Sequence, residues 1–228
     1  WHFVYVASYI SDSLEVIDAT NPTNLKHEWR LINVTEAKLN WAKWIDVVWD
    51  YAYIAAYSDD ALQIIDISNP AVPVETGYIQ DNTRLNGATS VKVIGDYAYV
   101  TSYLHDSLQI IDISNPVAPV FVWQLIDDAV TELDGAWWID IIWNYAYITW
   151  YNDDGLEIVD ISDPTNPTHV GEIQNSDPSV RLNGAREIKI KWNYAYVTAH
   201  VDDSIEVIDI SNPALPTHAW FYDTDNFG

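Results

Sequence analysis

The chain has 228 residues, with 34 Asp and Glu against 10 Lys and Arg, and its formal charge at pH 7 is −24. Such an acidic chain cannot build the basic face that a phosphate backbone requires, which excludes nucleic-acid binding. Hydrophobic residues make up 49% of the sequence and aromatic residues 14%, so the chain can bury a core and is not a disordered acidic tail. No apolar run approaches the roughly 18 residues of a membrane helix, and the absence of cysteine excludes disulfides and thiolate chemistry.

The sequence repeats itself five times. The first Asp of the motif Asp-Ile-Ser-Asn-Pro, or of a close variant, stands at positions 18, 66, 112, 160 and 209, so the spacing is 46 to 49 residues. A Tyr-Ala-Tyr motif at 51, 97, 145 and 194 keeps the same step. We therefore predict one domain over 1–228 that contains five repeats, approximately 1–42, 43–88, 89–136, 137–185 and 186–228.

Each repeat has the pattern of four short strands, which is clearest in the second. Residues 45–48 alternate and end at the two-residue turn Trp49-Asp50; a strand over 51–57 follows. After an acidic loop, residues 62–67 form the third strand, and a proline-containing turn leads to the fourth at 74–79. A four-stranded unit of about 40 to 50 residues is typical of a β-propeller blade.

These motifs resemble those of a known family, the LVIVD-repeat β-propellers. The resemblance lies in a Leu-x-Ile-Ile-Asp-Ile-Ser-Asn-Pro core that follows a Tyr-Ala-Tyr strand, as in Leu62–Pro70 and Leu108–Pro116. It implies an all-β propeller fold in a secreted or surface protein, and it implies no shared catalytic residues. One departure concerns the first hairpin: the family usually has glycine where Gly95 stands, whereas Trp49 stands there in the second repeat. Since Trp disfavours positive φ, we expect those turns to differ in type.

The first repeat begins at the turn before its second strand, so the count of strands is one inner strand short. The sequence also contains no methionine, and we expect a processed protein or a piece of a longer one. Either the missing strand lies outside this sequence, or another chain supplies it, or further repeats follow. An unpaired strand edge is a template for docking, so this gap has functional interest.

Neighbouring repeats also alternate in composition. The last strands of repeats one, three and five contain Trp29, Trp123 and Trp220, while the segments after repeats two and four both contain Arg-Leu-Asn-Gly-Ala. A two-repeat unit of 94 residues is indicated.

The first strands of successive repeats alternate in charge and supply the first set of candidate binding residues. In a propeller these strands line the central channel, and the residues are Asp46, Lys92, Asp140 and Lys189. One interpretation is that neighbouring repeats pair opposite charges. The other is a polar channel that holds an ion or small ligand, or a pair of channel carboxylates that serves a glycoside hydrolase.

Acidic loops between second and third strands supply a candidate calcium site. Its residues are Asp12, Asp60, Asp106, Asp154 and Asp203. Hard cations need several convergent oxygen ligands, but Asp at a tight hairpin also caps backbone amides. Both readings stay open, and we name calcium as the only candidate cofactor.

Tryptophans at the hairpin between first and second strands supply the remaining candidate binding residues. They are Trp1, Trp49, Trp143 and Trp192. Exposed Trp stacks on sugars or forms protein interfaces; packing between repeats is the alternative.

Three histidines occupy the same position in the outer strands of their repeats: His27, His169 and His218. Because equivalent positions on separate blades are far apart, we expect them to be surface residues and not a shared metal site.

No phosphate loop, Gly-x-Ser-x-Gly or His-Glu-x-x-His motif occurs in the sequence. We therefore predict a non-enzymatic extracellular or cell-surface module, a subunit of a larger assembly or filament that contacts other proteins and other copies of itself. The alternative is a monomeric lectin-like protein that binds glycans, and a glycoside hydrolase comes third.

Overall fold

The computed structural model describes residues 2–33, 37–176 and 178–223. Over these residues every regular element is a β-strand, and no helix is long and apolar enough to cross a membrane. The many β-branched and aromatic residues account for the strands, since such side chains pack well on a pleated surface.

The strands form five antiparallel sheets, in which each strand pairs with the next one along the chain. The first sheet consists of β1 (Phe3–Ser8), β2 (Ser13–Asp18) and β3 (Lys26–Ile32). The second consists of β4 (Ala42–Val48), β5 (Tyr51–Ala56), β6 (Ala61–Asp66) and β7 (Val74–Gln80). The third consists of β8 (Ala88–Ile94), β9 (Tyr97–Ser102), β10 (Ser107–Asp112) and β11 (Val120–Ile126). The fourth consists of β12 (Ala136–Ile142), β13 (Tyr145–Trp150), β14 (Gly155–Asp160) and β15 (Thr168–Gln174). The fifth consists of β16 (Ala185–Lys191), β17 (Tyr194–Ala199), β18 (Ser204–Asp209) and β19 (Thr217–Asp223).

The sheets match the five predicted repeats, and among the described residues the first sheet has three strands, as the sequence predicts. The predicted inner strands were too short: residues 45–48 were expected, but β4 begins at Ala42. The reason is a β-bulge, because the pairing with β5 passes from Ala42 to Trp44 and leaves Lys43 out of register. A bulge breaks the period of two on which the prediction depended.

The Asp-Ile-Ser-Asn-Pro motif forms the turn between third and fourth strands. In the second sheet, the backbone N–H of Ser68 donates to Asp66 Oδ1 at 2.8 Å, and the N–H of Ala71 donates to Asn69 Oδ1 at 3.2 Å. The same pair of contacts recurs at each of the other four motifs. The repeated Asp is therefore a turn former, because its side chain satisfies a backbone donor that the strands leave unpaired.

The chain divides into two compact units, one of Trp1–Val100 with Ile110–Phe121 and one of Thr101–Gln109 with Val122–Gly228. Within each unit, apolar cores lie between consecutive sheets. In the first unit Leu14 and Val16 pack against Ala52 and Ile54 of the next sheet. In the second unit the fourth and fifth sheets bury a similar cluster around Leu156.

The alternation of tryptophan with glycine in the outer strands has a packing cause. Gly77 stands where the first and third repeats have Trp, and a Cβ there would come within 3.0 Å of the Pro116 carbonyl oxygen. Gly171 meets the Pro213 carbonyl in the same way. The following repeat's proline turn thus lies directly on the backbone of these outer strands, which leaves no room for a side chain.

Candidate functional site

The hairpin tryptophans are among the most exposed large side chains of the protein. Trp49 and Trp143 are each 81% exposed and Trp192 is 75% exposed. In the second unit, Trp143 and Trp192 occupy the same turn in two consecutive sheets, and Lys191 Nζ lies 4.8 Å from the Trp192 ring centroid. Trp1, the fourth residue of the predicted set, lies outside the described residues.

The backbone at these turns overturns one expectation. The φ angles are +54° at Trp49, +59° at Trp143 and +56° at Trp192, and Gly95 has +58° at the equivalent position. The prediction that the Trp and Gly turns differ in this geometry is wrong. Two-residue hairpins favour glycine at such a position, and a non-glycine residue there carries strain of about 1 kcal/mol or more. The chain thus places an exposed Trp where glycine would fold more easily.

The aspartates and lysines predicted to line the channel form pairs within each unit. Asp46 Oδ2 accepts a hydrogen bond from the backbone N–H of Val93 at 2.8 Å, and its Oδ1 lies 3.9 Å from Lys92 Nζ. In the second unit, Asp140 Oδ2 accepts from Lys189 Nζ at 2.8 Å and from the backbone N–H of Ile190 at 3.0 Å. Each aspartate thus binds the lysine and the backbone of the following repeat, as the pairing interpretation predicts. A ligand would have to compete with these contacts.

The acidic loops also connect each sheet to the segment that leads into the next sheet. Asp60 has φ of +50°, its Oδ1 accepts the backbone N–H of Gly87 at 2.9 Å, and its carbonyl accepts the N–H of Asp81 at 3.0 Å. The same side-chain contact joins three other loops to the residue just before the next sheet: Asp12 to Trp41, Asp106 to Gly135 and Asp154 to Gly184. Asp203 shares the left-handed backbone.

These hydrogen bonds favour the capping role for the loop aspartates. A carboxylate that accepts the backbone amide just before the next inner strand satisfies a donor that lies outside the strand pairing. Four of the five predicted calcium ligands therefore already have a structural partner, each in a different repeat. Calcium binding at these loops stays a prediction.

Aromatic clusters lie at the ends of the sheets where the acidic loops are. In the first unit, Trp41 lies 5.0 Å from Tyr9 and 6.0 Å from Tyr57 between ring centroids, and Lys43 contacts both tyrosine rings. In the second unit a corresponding group surrounds Trp137, with Tyr103, Tyr151 and the guanidinium of Arg186. Cation–π attraction of this kind holds the charged groups against the aromatic rings.

A set of glutamate–histidine pairs was missed by the sequence reasoning. The ring nitrogen Nδ1 of His169 lies 2.7 Å from Glu157 Oε1, and Nδ1 of His218 lies 2.5 Å from Glu206 Oε1. Both glutamates are 0% exposed, and both imidazoles are about three-quarters buried. The expectation that these histidines are surface residues is wrong for this pair of repeats. The signal was available, since His occurs at this outer-strand position only in the repeats whose third strand carries Glu rather than Gln.

The two buried carboxyl groups differ in their surroundings. Burial raises the pKa of Glu206, and the contacts with His218 and the backbone N–H of Arg181 partly offset that effect. Burial raises the pKa of Glu157 to about 9, and the negative charge of Glu172 adds to the shift. One ligand atom each of Glu157, His169 and Glu172 lies within 4.8 Å of the other two, so this group can converge on a metal ion.

The sequence matches the family of the LVIVD repeat over residues 42–81, 87–125, 135–175 and 184–224. The chain belongs to the LVIVD repeat family. The matched segments coincide with the second to fifth sheets, and each contains one copy of the Asp-Ile-Ser-Asn-Pro motif or its variant. The family assignment made from the motifs is therefore confirmed.

Solved structures share the fold at low sequence identity. A functionally unknown protein from Desulfotomaculum acetoxidans has a TM-score of 0.75 and 12% identity, and the match covers 97% of this chain and 67% of that one. A periplasmic gluconolactonase from Pseudomonas aeruginosa has a TM-score of 0.77 and 10% identity, with the same coverage. A protein from Lactobacillus plantarum has a TM-score of 0.77 and 11% identity over 96% of this chain and 67% of its own. No curated protein matches the sequence. These likenesses show the β-propeller type of fold alone.

Proposed function

We propose that this protein is a non-catalytic interaction module of a secreted or cell-surface protein, which binds protein partners, and first of all other copies of itself, through the hairpin tryptophans. The observation that carries the proposal is the 75–81% exposure of Trp49, Trp143 and Trp192 at positive φ. Gly95 shows that the same turn forms without a side chain.

The energetics of these turns support a role in contacts and not in folding. A Trp at positive φ costs about 1 kcal/mol relative to a relaxed backbone, and little of each ring is buried in return. Exposed aromatic side chains are the residues most enriched at the centres of protein interfaces, because Trp buries a large area while losing little rotamer entropy. Binding a partner would bury the area of these rings that folding leaves exposed to solvent.

The charge of the chain sets the conditions for such contacts. With a formal charge of −24, two copies repel each other at low ionic strength. Salt screens this repulsion within about 10 Å at 0.1 M, so we expect self-association to strengthen as salt is added. An acidic surface of this kind suits a high-salt or extracellular setting.

A second surface favours the same function. Among the described residues β1 is an edge strand, since its sheet has the order β1-β2-β3. Val4 is 45% exposed and Val6 38% exposed on that strand. Exposed apolar edge strands accept a further strand through main-chain hydrogen bonds, which another part of a longer chain or a second copy would supply.

Light scattering on the native chain and on a triple variant tests the proposal. The variant carries Trp49→Gly, Trp143→Gly and Trp192→Gly, which copy the residue of the third repeat. We expect the native chain to give particles well above its 26.0 kDa mass in 0.5 M salt, and the variant to give clearly smaller particles with an unchanged far-UV spectrum. Equal particle mass for both proteins would overturn the proposal.

A lectin-like function is the second candidate. It is favoured by the aromatic cluster around Trp41, since this side chain is 43% exposed and lies between two tyrosines. Aromatic faces of this kind stack on sugar rings. A glycan titration that shifts the tryptophan fluorescence of a monomeric native chain, and no longer does so in Trp41→Gly, would favour this function over self-association.

A further inference from the structure

The outer edge of the fourth repeat brings two glutamates directly opposite each other. In the pairing of β14 with β15, Glu157 is the cross-strand partner of Glu172. His169 on β15 adds an imidazole at 2.7 Å from Glu157 Oε1. The ligand atoms of the three residues lie within 4.8 Å of one another, so a single ion can contact all three.

The electrostatics of this arrangement are unfavourable unless a positive charge is present. Like charges directly opposite on antiparallel strands destabilise the pair. Glu157 is 0% exposed, and its Oε2 atom makes no hydrogen bond of standard geometry among the described residues, although the backbone N–H of Glu132 acts on the carboxylate. A buried carboxylate oxygen without a partner normally costs more than a lost hydrogen bond. Glu157 Oε2 is therefore available to a ligand.

The other four repeats show that the fold does not require this acidic pair. The cross-strand position of Glu172 is held elsewhere by basic, aromatic or amide residues: Arg30, Tyr78, Gln124 and Phe221. In the first repeat the guanidinium of Arg30 bonds to Glu15, which lies opposite it. The first repeat thus supplies the cation itself, whereas the fourth supplies a second anion.

A third position near Glu157 is also occupied by an acidic residue. In the segment x-Leu-Asn/Asp-Gly/Trp-Ala that precedes each inner strand, the first residue is Lys38, Arg84, Glu132 or Arg181. Lys38 and Arg181 donate their backbone N–H to the buried Gln63 and Glu206 of the sheets that they precede. The residue that precedes the fourth sheet in this way is Glu132. Among the described residues, the fourth sheet is the only one with acidic side chains at all three places.

A bound proton would be a simpler way to neutralise Glu157, but the sequence argues against it. In the second and third repeats Gln63 and Gln109 occupy this buried position, so an uncharged side chain of the same shape satisfies the fold. A carboxyl that served only as a neutral group would need neither Glu172 nor Glu132 beside it.

We propose that Glu157, His169 and Glu172 bind a divalent transition-metal ion, with zinc as the best match, and that the ion joins β14 to β15. Imidazole nitrogen and carboxylate oxygen are both zinc ligands, and three protein ligands with an open fourth position are typical of accessible zinc sites. Calcium fits less well, because it takes six to eight oxygen ligands. His169 is 27% exposed in its side chain, which gives the ion a way in from solvent.

Titration calorimetry with zinc on the purified native chain tests the site. Glu172→Gln removes one ligand and introduces the residue that the third repeat has at this place, so it should fold. His27→Gln is the matched control, since His27 holds the same position in the first repeat and bonds to Glu15, whose cross-strand partner is the cation Arg30. We expect one strong zinc equivalent on the native chain and on the control, and at least tenfold weaker binding to Glu172→Gln, the lower end of what even outer-shell partners contribute.

Cobalt absorption provides a readout that depends on the ligands themselves. A bound Co²⁺ should show visible bands in the native chain that zinc displaces and that are lost in Glu172→Gln. Saturable zinc binding of equal strength in Glu172→Gln, or no zinc binding by the native chain at millimolar metal, would overturn the proposal. Displacement of Co²⁺ by equimolar calcium would overturn the choice of metal.

Discussion

Replacement of Trp143 by glycine is the mutation that most directly separates a contact role from a folding role. The residue is 81% exposed, so about one-fifth of its surface is buried. Because a fully buried aromatic covers roughly 150–250 Å², that fraction is about 30–50 Å², which stabilises the fold by about 1 kcal/mol at roughly 25 cal/mol/Å².

The opposing terms are of similar size. Glycine at φ of +59° removes strain of about 1–2 kcal/mol. It also gives the unfolded chain more conformational freedom, which costs about 0.4–1 kcal/mol. The sum lies within about 1 kcal/mol of zero, so we expect Trp143→Gly to unfold at nearly the native urea concentration.

Trp150 on the neighbouring strand is the matched control. It is 0% exposed, and a cavity of that size typically costs about 3–5 kcal/mol when Trp becomes Ala. Urea unfolding followed by circular dichroism gives both free energies. A loss above about 2 kcal/mol in Trp143→Gly would refute the reasoning, because the ring would then be a folding element.

Three further changes test other parts of the structure. Gly77→Ala should cost about 1–3 kcal/mol in urea unfolding, because the new Cβ overlaps the Pro116 carbonyl; a neutral result would show that the turn can move. Asp60→Ala should cost about 1 kcal/mol through its lost contact with the Gly87 amide, whereas Asp60→Asn retains an acceptor and should be nearly neutral; equal losses would contradict the capping role. The raised pKa of Glu206 gives a stabilising contribution that is present below its unfolded pKa and is lost as pH rises through the folded value. Glu206→Gln should therefore gain stability relative to the native chain as the pH rises above the ordinary glutamate value of 4.5, and parallel pH profiles of the two proteins would speak against this.

The fold was predictable because the repeat carries redundant signals. In each repeat the turn is marked by Asp and Asn side chains that accept a backbone N–H two residues ahead, as Asp66 does with Ser68. The alternation of apolar and polar residues then predicts where the strands lie. What periodicity could not show is the bulge at Lys43, since an extra residue shifts every later side chain to the other face.

The candidate sites were less accessible to sequence reasoning. Single-residue expectations treated Trp as incompatible with a positive φ, but the surrounding hairpin imposes that angle on Trp49 as it does on Gly95. The pairing of Glu157 with Glu172 depends on cross-strand register, which becomes visible only when all five repeats are aligned at the same offset. Comparison between repeats of one chain therefore carried more information than any single motif.

Fluorine NMR of protein labelled with 5-fluorotryptophan, followed across a dilution series in 0.5 M salt, tests the proposed contact surface most directly. Each tryptophan reports separately, so buried Trp150 serves as an internal reference. We predict that the resonances of Trp49, Trp143 and Trp192 shift or broaden as protein concentration rises, while that of Trp150 stays constant. Unchanged hairpin resonances over a range in which the particle mass grows would contradict the account.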